Sequence, residues 1–158
     1  MRSSRLYGEF IPIKISLGAD HAGVDLKDSL AQALREAGHE ILDRGTHGHD
    51  SVDYPDFAVA VGQDVANGAA ERGVLVCSTG IGISIAANKI HHVRAALCHN
   101  EDSAEFSRRH NNANVICFGQ KYITPYMAQK MTLIFLKTEF EGGRHERRVE
   151  KIAQEETA

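Results

Sequence analysis

The sequence predicts a single α/β domain in which helices cover both faces of a mostly parallel five-stranded sheet, giving three layers. Short runs of apolar, often β-branched residues alternate with helical patterns along the chain, and this alternation favours right-handed βαβ units. The runs are apolar at consecutive positions, as expected for strands buried on both sides. A length of 158 residues suits one domain with a sizeable core.

The first strand and helix show the pattern clearly. Residues 13–19 form a predicted strand that ends in GADHAG, and residues 24–37 form a predicted helix. The leucines of that helix lie on one stripe with charged residues opposite, so the helix is amphipathic. Gly38 ends it, since glycine is the usual residue just past a helix C-terminus.

The remaining elements follow the same alternation, which makes the predicted sheet Rossmann-like. Later strands are expected at residues 40–43, 73–77, 94–98 and 115–118. Later helices are expected at residues 56–70, 83–90, 102–110, 125–138 and 146–154. The loop at 44–55 ends at Pro55, which can begin a helix. Residues 1–12 are interpreted as an N-terminal arm before a domain spanning 13–158.

Composition and charge exclude several classes of function. The net charge is −3, so no global basic surface exists to bind nucleic acid. No apolar run approaches the ~20 residues of a membrane span, and the N-terminus has no pattern of a secretory signal. Three cysteines, an odd number on predicted strands, argue against a disulfide framework. We therefore expect a cytoplasmic protein.

The chemistry of a parallel sheet is expected just beyond the carboxyl ends of its strands, where ligands bind in open α/β sheets. Residues at those positions can be read directly from the predicted strands. They are Asp20 and His21, residues 77–82, His99 and Asn100, and residues 119–121.

The segment CSTGIGIS, residues 77–84, admits several interpretations. A dinucleotide loop would need a third glycine at the proper spacing, and a cysteine phosphatase would need an arginine where Ile83 stands. A thiol at a helix N-terminus remains, where backbone N–H groups favour negative charge on a ligand or a thiolate. The residues alone leave two readings of Cys77 open: a functional thiol, or a small buried residue as expected for Cys98 and Cys117.

Other polar groups also have a structural and a functional reading. Asp20 can cap the helix that follows or bind a ligand. HGHD at 47–50 resembles a metal site in spacing, but such loops are usually solvated, and we expect no metal. His110 lies where a helix meets a turn. Arg144 and Arg148, spaced i, i+4, form either a solvated face or a phosphate clamp.

Five ordered motifs resemble the type B ribose-5-phosphate isomerases, which are grouped with the galactose-6-phosphate isomerase subunits. The motifs are GADHAG, DYP at 53–55, CSTGIGISIAANK, RRHNNAN and EGGRHERR. Together they cover roughly residues 13–152. Two departures are visible: Ser78 replaces an expected glycine, and Lys121 stands where an arginine often contributes to the phosphate site.

The resemblance implies a reaction of the pentose phosphate pathway, the interconversion of D-ribose 5-phosphate and D-ribulose 5-phosphate through a cis-enediolate. It implies no metal or organic cofactor. It also implies a homodimer, sometimes paired into a tetramer, whose active sites are shared across the interface.

Roles for single residues follow from the same resemblance. Cys77 is the expected base, because the family's alternative glutamate would occupy position 83, where this chain has isoleucine. His110 is expected to open the sugar ring with help from Thr79, and His110 and Asn111 are expected to come from the partner subunit.

The other site residues are expected to bind substrate. They are the backbone amides of Ser78, Thr79, Gly80, Ile81 and Gly82 as an anion hole, Asp20 and His21 for hydroxyls or phosphate, and Lys121, Arg144 and Arg148 for the phosphate. Two alternatives stay open: isomerisation of allose 6-phosphate or galactose 6-phosphate, and non-catalytic sensing of a sugar phosphate.

Overall fold

The computed structural model of the chain describes residues 10–156. Its centre is a five-stranded sheet in which every pairing is parallel. The strands are Lys14–Ala19 (β1), Glu40–Asp43 (β2), Arg72–Cys77 (β3), Ala95–Leu97 (β4) and Val115–Gly119 (β5). Their order in the sheet is β2-β1-β3-β5-β4. The predicted fold class is confirmed, and the sheet is parallel throughout.

Helices cover both faces of this sheet, as the consecutive apolar runs predict. They are Val24–Glu36 (α1), Tyr54–Ala66 (α2), Ile81–Ala87 (α3), Glu101–Arg109 (α4), Pro125–Lys137 (α5) and Arg144–Gln154 (α6). The core of one face is formed with α1, α4 and α5, and that of the other with α2 and α3. Each face of the sheet therefore has its own helices and its own hydrophobic core.

Successive side chains of β3 point to opposite faces of the sheet, as in any strand. Val74 and Val76 join the core under α1 and α5. Leu75 and Cys77 join the opposite core, beside Ile83 of α3. The thiol therefore points toward the α2 and α3 face of the sheet.

Several helix boundaries differ from the sequence predictions for local reasons. Helix α2 begins two residues earlier than expected, because Asp53 is its N-cap and Pro55 lies in its first turn. It also ends earlier, just before Gly68, whose φ is +81°. Helices α3 and α6 each begin two residues before their predicted starts, and Gly80 is the N-cap of α3 with a φ of +76°.

Because all strands are parallel, they begin at one edge of the sheet and end at the other. We call these the amino edge and the carboxyl edge. The strand order reverses between β1 and β3, and ligands of open α/β sheets generally bind beside such a reversal, beyond the carboxyl ends of the strands. Gly73, near the start of β3, donates its N–H to the Asn114 carbonyl at the amino edge.

Helix α6 lies along the amino edge. The Glu141 N–H donates to the Arg109 carbonyl just before α6 begins, and the His92 N–H donates to the Glu156 carboxylate just after it ends. Within residues 10–156, no helix is both long and apolar enough to cross a membrane. Residues 1–9 of the predicted arm lie outside the described part of the chain, and residues 10–12 have no regular secondary structure.

Candidate active site

Cys77 ends β3 at the carboxyl edge and is almost fully buried, with 4% of its surface exposed. The Gly80 N–H donates to the Cys77 Sγ at 3.1 Å. Ile83, at the position of the rival glutamate, is fully buried in the same core cluster. The thiol is therefore held by the loop that follows it, with an amide donor aimed at its sulfur.

The loop at 78–82 is closely packed because glycines let the backbone segments approach. A Cβ on Gly119 would lie 2.5 Å from the Thr79 carbonyl oxygen, so the end of β5 fits against the loop only as glycine. The Lys121 N–H donates to the Ser78 carbonyl at 3.1 Å. The Ile81 N–H donates to Thr79 Oγ1 at 3.3 Å. Of the five predicted anion-hole amides, those of Gly80 and Ile81 thus have partners within the chain.

Tyr54 is a residue at this edge to which the sequence assigns no role. A Cβ on Gly82 would lie 2.5 Å from its ring, so the tyrosine rests on the first turn of α3. Its side chain remains 39% exposed. The signal was present in the DYP motif at 53–55, but only the packing against Gly82 shows where the ring lies.

Asp20 and His21 follow β1 and lie beside the end of β3. Asp20 is buried, and its Oδ1 accepts the N–H groups of Ala22 and Gly23 at 3.0 and 3.1 Å, so this carboxylate caps the turn before α1. His21 Nδ1 accepts the Val52 N–H at 3.1 Å. That bond places the proton of a neutral ring on Nε2, which leaves Nε2–H as a donor.

A buried ion pair supports the loop at 44–53 that holds His21. Lys27 is fully buried, and its Nζ lies 2.8 and 2.9 Å from the two carboxylate oxygens of Asp43. Burial raises the pKa of Asp43, but hydrogen bonds from Lys27 and the Gly45 N–H outweigh it, so the net pKa is lowered. Gly45 in turn accepts the Ala19 N–H through its carbonyl, which ties the loop to the end of β1.

The other two cysteines differ from Cys77 in their surroundings. All three thiols are free. Burial raises the pKa of Cys98 to about 11 and raises that of Cys117 well above its usual range. Both are therefore uncharged at neutral pH, in keeping with the structural role predicted for them.

The remaining predicted site residues lie at the opposite edge of the sheet. His110 follows α4 and Asn111 comes next, both before β5 begins, while Arg144 and Arg148 lie on α6. Since β5 has five residues, the two edges are separated by about 15 Å of strand. Within one chain, Cys77 therefore has Asp20, His21, Thr79 and Lys121 at its own edge, but not these four residues.

His110 is surrounded by side chains from two segments. Its ring stacks on that of His145, with 4.2 Å between centroids and 9° between planes, and its Nε2 lies 3.5 Å from Glu141 Oε2. Burial lowers the pKa of His145, and the charges of His110 and Arg144 lower it further. Glu141 and His145 were missed by sequence reasoning, although both belong to the quoted EGGRHERR motif.

The histidines of the HGHD loop do not form the grouping that a metal would need. His49 Nε2 lies 2.8 Å from Asp25 Oδ1, on an exposed surface. A different group, His91, His92 and Glu156, has its potential ligand atoms within 4.8 Å of one another at the end of α6.

The chain is similar to proteins of one family over nearly its whole length. A family model described as Ribose/Galactose Isomerase matches residues 15–152. Ribose-5-phosphate isomerase B of Escherichia coli is 43% identical over 139 residues, which cover 88% of this chain and 93% of that protein. D-erythrulose-4-phosphate isomerase of Pectobacterium atrosepticum is 39% identical over 142 residues, covering 89% and 93%.

Solved structures agree with this similarity. The ribose-5-phosphate isomerase B of Clostridium thermocellum superposes with a TM-score of 0.88 at 47% sequence identity. The superposition covers 89% of this chain and 95% of that one.

Proposed function

The chain belongs to the ribose/galactose isomerase family and is an isomerase, and we propose that it interconverts D-ribose 5-phosphate and D-ribulose 5-phosphate with Cys77 as the base. The observation that carries this proposal is the setting of Cys77. It ends a central strand beside the reversal of strand order, with an amide N–H aimed at its sulfur. Ile83 fills the place of the alternative base with a buried aliphatic side chain.

The chemistry requires one proton to move between neighbouring carbons. In the open-chain aldose, the Cys77 thiolate takes the C2 proton, the C2 electron pair forms the C1=C2 bond, and negative charge develops on O1. The thiol then returns a proton to C1 as the C1=C2 electron pair forms the new C1–H bond, and the O2 proton passes to O1, which leaves a hydroxyl at C1 and the ketone at C2. Amides of the loop at 78–82 would stabilise the enediolate, where losing one donor typically costs about 3 kcal/mol.

A second copy of the chain would complete the site. His110 and Asn111 are too far from Cys77 within one chain, but a partner can present its amino edge to the carboxyl edge of the first. Ile81 and Ile85 of α3 are 52% and 57% exposed beside Cys77, and such apolar side chains suit a subunit interface. We propose a homodimer with two equivalent shared sites.

The substrate phosphate would be bound by side chains from both edges. Arg144 and Arg148 from the partner's α6 and Lys121 from the same edge as Cys77 would supply the positive charge. Asp20 would hold sugar hydroxyls, and His21 would donate Nε2–H to a hydroxyl or the phosphate. Binding the phosphate, which does not react, positions C1 and C2 over the thiolate.

Solvent deuterium incorporation tests the proposal directly. Purified protein is incubated in D2O with ribose 5-phosphate, and NMR follows both ribulose 5-phosphate and the label at C1. Wild type should form ketose with deuterium at C1, whereas Cys77→Ala should form almost none in the same time. Ligand-induced stabilisation without conversion would instead identify a sugar-phosphate sensor.

Substrate length is settled by competing substrates in the same assay. Allose 6-phosphate and galactose 6-phosphate test the six-carbon alternatives, and the name of the Pectobacterium relative makes erythrulose 4-phosphate a third comparison. Ribose 5-phosphate should give the highest kcat/KM. A higher value with any of the others would overturn the proposed substrate while leaving the isomerase reaction in place.

A further inference from the structure

Glu141 and His145 both contact the His110 side chain. The proposed isomerase reaction assigns neither of them a role. His145 lies flat against the ring, and Phe106 packs against it with 4.8 Å between centroids. Glu141 lies at its Nε2 side, at an ion-pair distance of 3.5 Å. The imidazole is thus bordered by two rings and one carboxylate.

A backbone turn at residues 141–145 brings Glu141 and His145 to His110. The Glu141 N–H donates to the Arg109 carbonyl at 3.1 Å, which fixes Glu141 beside the end of α4. Gly142 and Gly143 then both take positive φ, +69° and +57°, a conformation that favours glycine. The turn closes with the His145 N–H donating to the Gly142 carbonyl at 3.1 Å. The two glycines therefore bring Glu141 and His145 to the same ring.

Positively charged residues lie near His110, and the Glu141 carboxylate supplies a negative charge beside them. Arg109 precedes His110, and Arg144 begins the helix that carries His145. Among the ion pairs of residues 10–156, Glu141 is the carboxylate in contact with His110. Its other oxygen lies 3.3 Å from an Arg109 guanidinium nitrogen, so the carboxylate is held from two sides.

We propose that Glu141 is a positioning residue for ring opening: it accepts Nε2–H of His110 and thereby directs Nδ1–H at the ring oxygen of the closed sugar. A contact of 3.5 Å needs only a small rotation of an exposed carboxylate to become a hydrogen bond, and such contacts often tighten when substrate binds. His145 acts as a flat support that prevents the ring from turning away.

Ring opening takes one proton from His110 and releases another from the anomeric hydroxyl. His110 gives its Nδ1 proton to the ring oxygen O4 as the C1–O4 bond breaks, and the anomeric hydroxyl loses its proton to solvent as C1 becomes an aldehyde. His110, left neutral, recovers a proton from solvent. Glu141 stays ionised and keeps the Nε2 proton in place throughout.

This inference rests on the proposed function, so its test uses two reactions of one preparation. Conversion of ribose 5-phosphate requires ring opening. Ribulose 5-phosphate cannot close a five-membered ring because its O5 carries the phosphate, so solvent exchange of its C1 proton reports enolisation without ring opening. Both rates are divided by the folded fraction from near-UV circular dichroism.

Glu141→Gln should lower ribose 5-phosphate conversion by about tenfold and leave C1 exchange within about twofold of wild type. Glu105→Gln is the matched control, since Glu105 also pairs with Arg109 at 3.3 Å and does not pair with His110. It should leave both rates near wild type.

The outcomes distinguish a failure of the proposed role of Glu141 from a failure of the proposed function. If Glu141→Gln lowers both rates equally, or lowers neither, Glu141 does not position His110 for ring opening. If Glu105→Gln reproduces the selective loss, the effect belongs to Arg109 and the inference is wrong. Should wild type catalyse neither reaction, the proposed function itself fails.

Discussion

The carboxyl and amino edges of the sheet are built in different ways. At the carboxyl edge, the loop after Cys77 is packed through glycines and backbone hydrogen bonds, and Cys77 and Asp20 are buried. At the amino edge, His110 is held by other side chains, and the arginines of α6 are exposed. One edge suits stabilising a small charged intermediate, and the other suits presenting charged groups to something outside the chain.

This difference is the reason we propose that two chains share each active site. A parallel sheet places all residues that follow strands at one edge and all residues that precede strands at the other. The proposed base, Cys77, and the proposed ring-opening acid, His110, therefore belong to opposite edges. A dimer with a two-fold axis can bring each edge of one copy to the other edge of its partner.

Removing the thiol is the strongest test of the carboxyl edge. Cys77→Ala should lower kcat for ribose 5-phosphate by about 10³-fold, because general-base catalysis typically contributes 10²–10⁴. Cys98→Ala is the control: that thiol is also buried but its pKa is raised to about 11, and its loss should leave kcat near wild type. A Cys77→Ala protein that retains near-normal turnover would remove Cys77 as the base.

Mixing variants of the two edges tests whether the site is shared. His110→Ala alone should lower kcat by about 10²-fold. When Cys77→Ala and His110→Ala subunits are refolded together, one of the two sites in each mixed dimer has both native residues, so about a quarter of wild-type activity should return.

In the control for this experiment, the His110→Ala subunit is replaced by a double variant. Cys77→Ala mixed with a Cys77→Ala, His110→Ala double variant places no native thiol in any site, and no activity should return. If the first mixture also stays inactive although mixed dimers form, the acid and base come from the same chain and the edges do not cooperate.

The sequence predicted the sheet better than it predicted the side-chain environment of His110. Buried strands have dense apolar runs, and Gly38 ends α1 as expected with a φ of +95°. Helix α2 was predicted to reach residue 70 because its apolar pattern continues past Gly68, where the backbone leaves the helix. The apolar pattern therefore predicts the end of a helix correctly only where the residue that ends the helix also ends the apolar pattern.

The contacts of Glu141 and His145 with His110 depend on a turn that the sequence does not specify. Two glycines before α6 are compatible with flexibility or with two successive residues of positive φ. Only the backbone shows the second case, with both side chains brought to His110. The sequence suggested that Arg144 and Arg148 face the same way if both are helical, and the structure places both on α6, which begins two residues before its predicted start.

The buried ion pair under the carboxyl edge predicts a pH-dependent loss of stability. Asp43 has a pKa below its unfolded value of about 4. Its stabilisation is therefore complete above that value and lost as the pH falls through the lower folded pKa. Asp43→Asn should reduce the free energy of unfolding by about 2 kcal/mol at pH 7, because Lys27 is left buried with one fewer partner.

Chemical denaturation from pH 7 to pH 2.5 measures this difference, which should shrink toward zero at the acid end. Asp28→Asn is the matched control, since Asp28 also lies 2.8 Å from Lys27 Nζ but its side chain is 60% exposed. It should cost well under 1 kcal/mol. Equal losses in the two variants would show that burial of the Asp43 pair does not set the stability.

The smallest expected effect concerns the exposed arginines of the amino edge. Arg148→Ala should raise KM for ribose 5-phosphate by about tenfold, the loss typical of one charge-assisted hydrogen bond to phosphate. Arg147→Ala, a neighbour on α6 that is also exposed, should raise KM much less, because successive residues of a helix point about 100° apart and Arg147 therefore points away from Arg148. Steady-state kinetics at fixed ionic strength separates the two. Equal increases in KM would mean that α6 attracts the substrate through its total charge, so its arginines would not form a clamp.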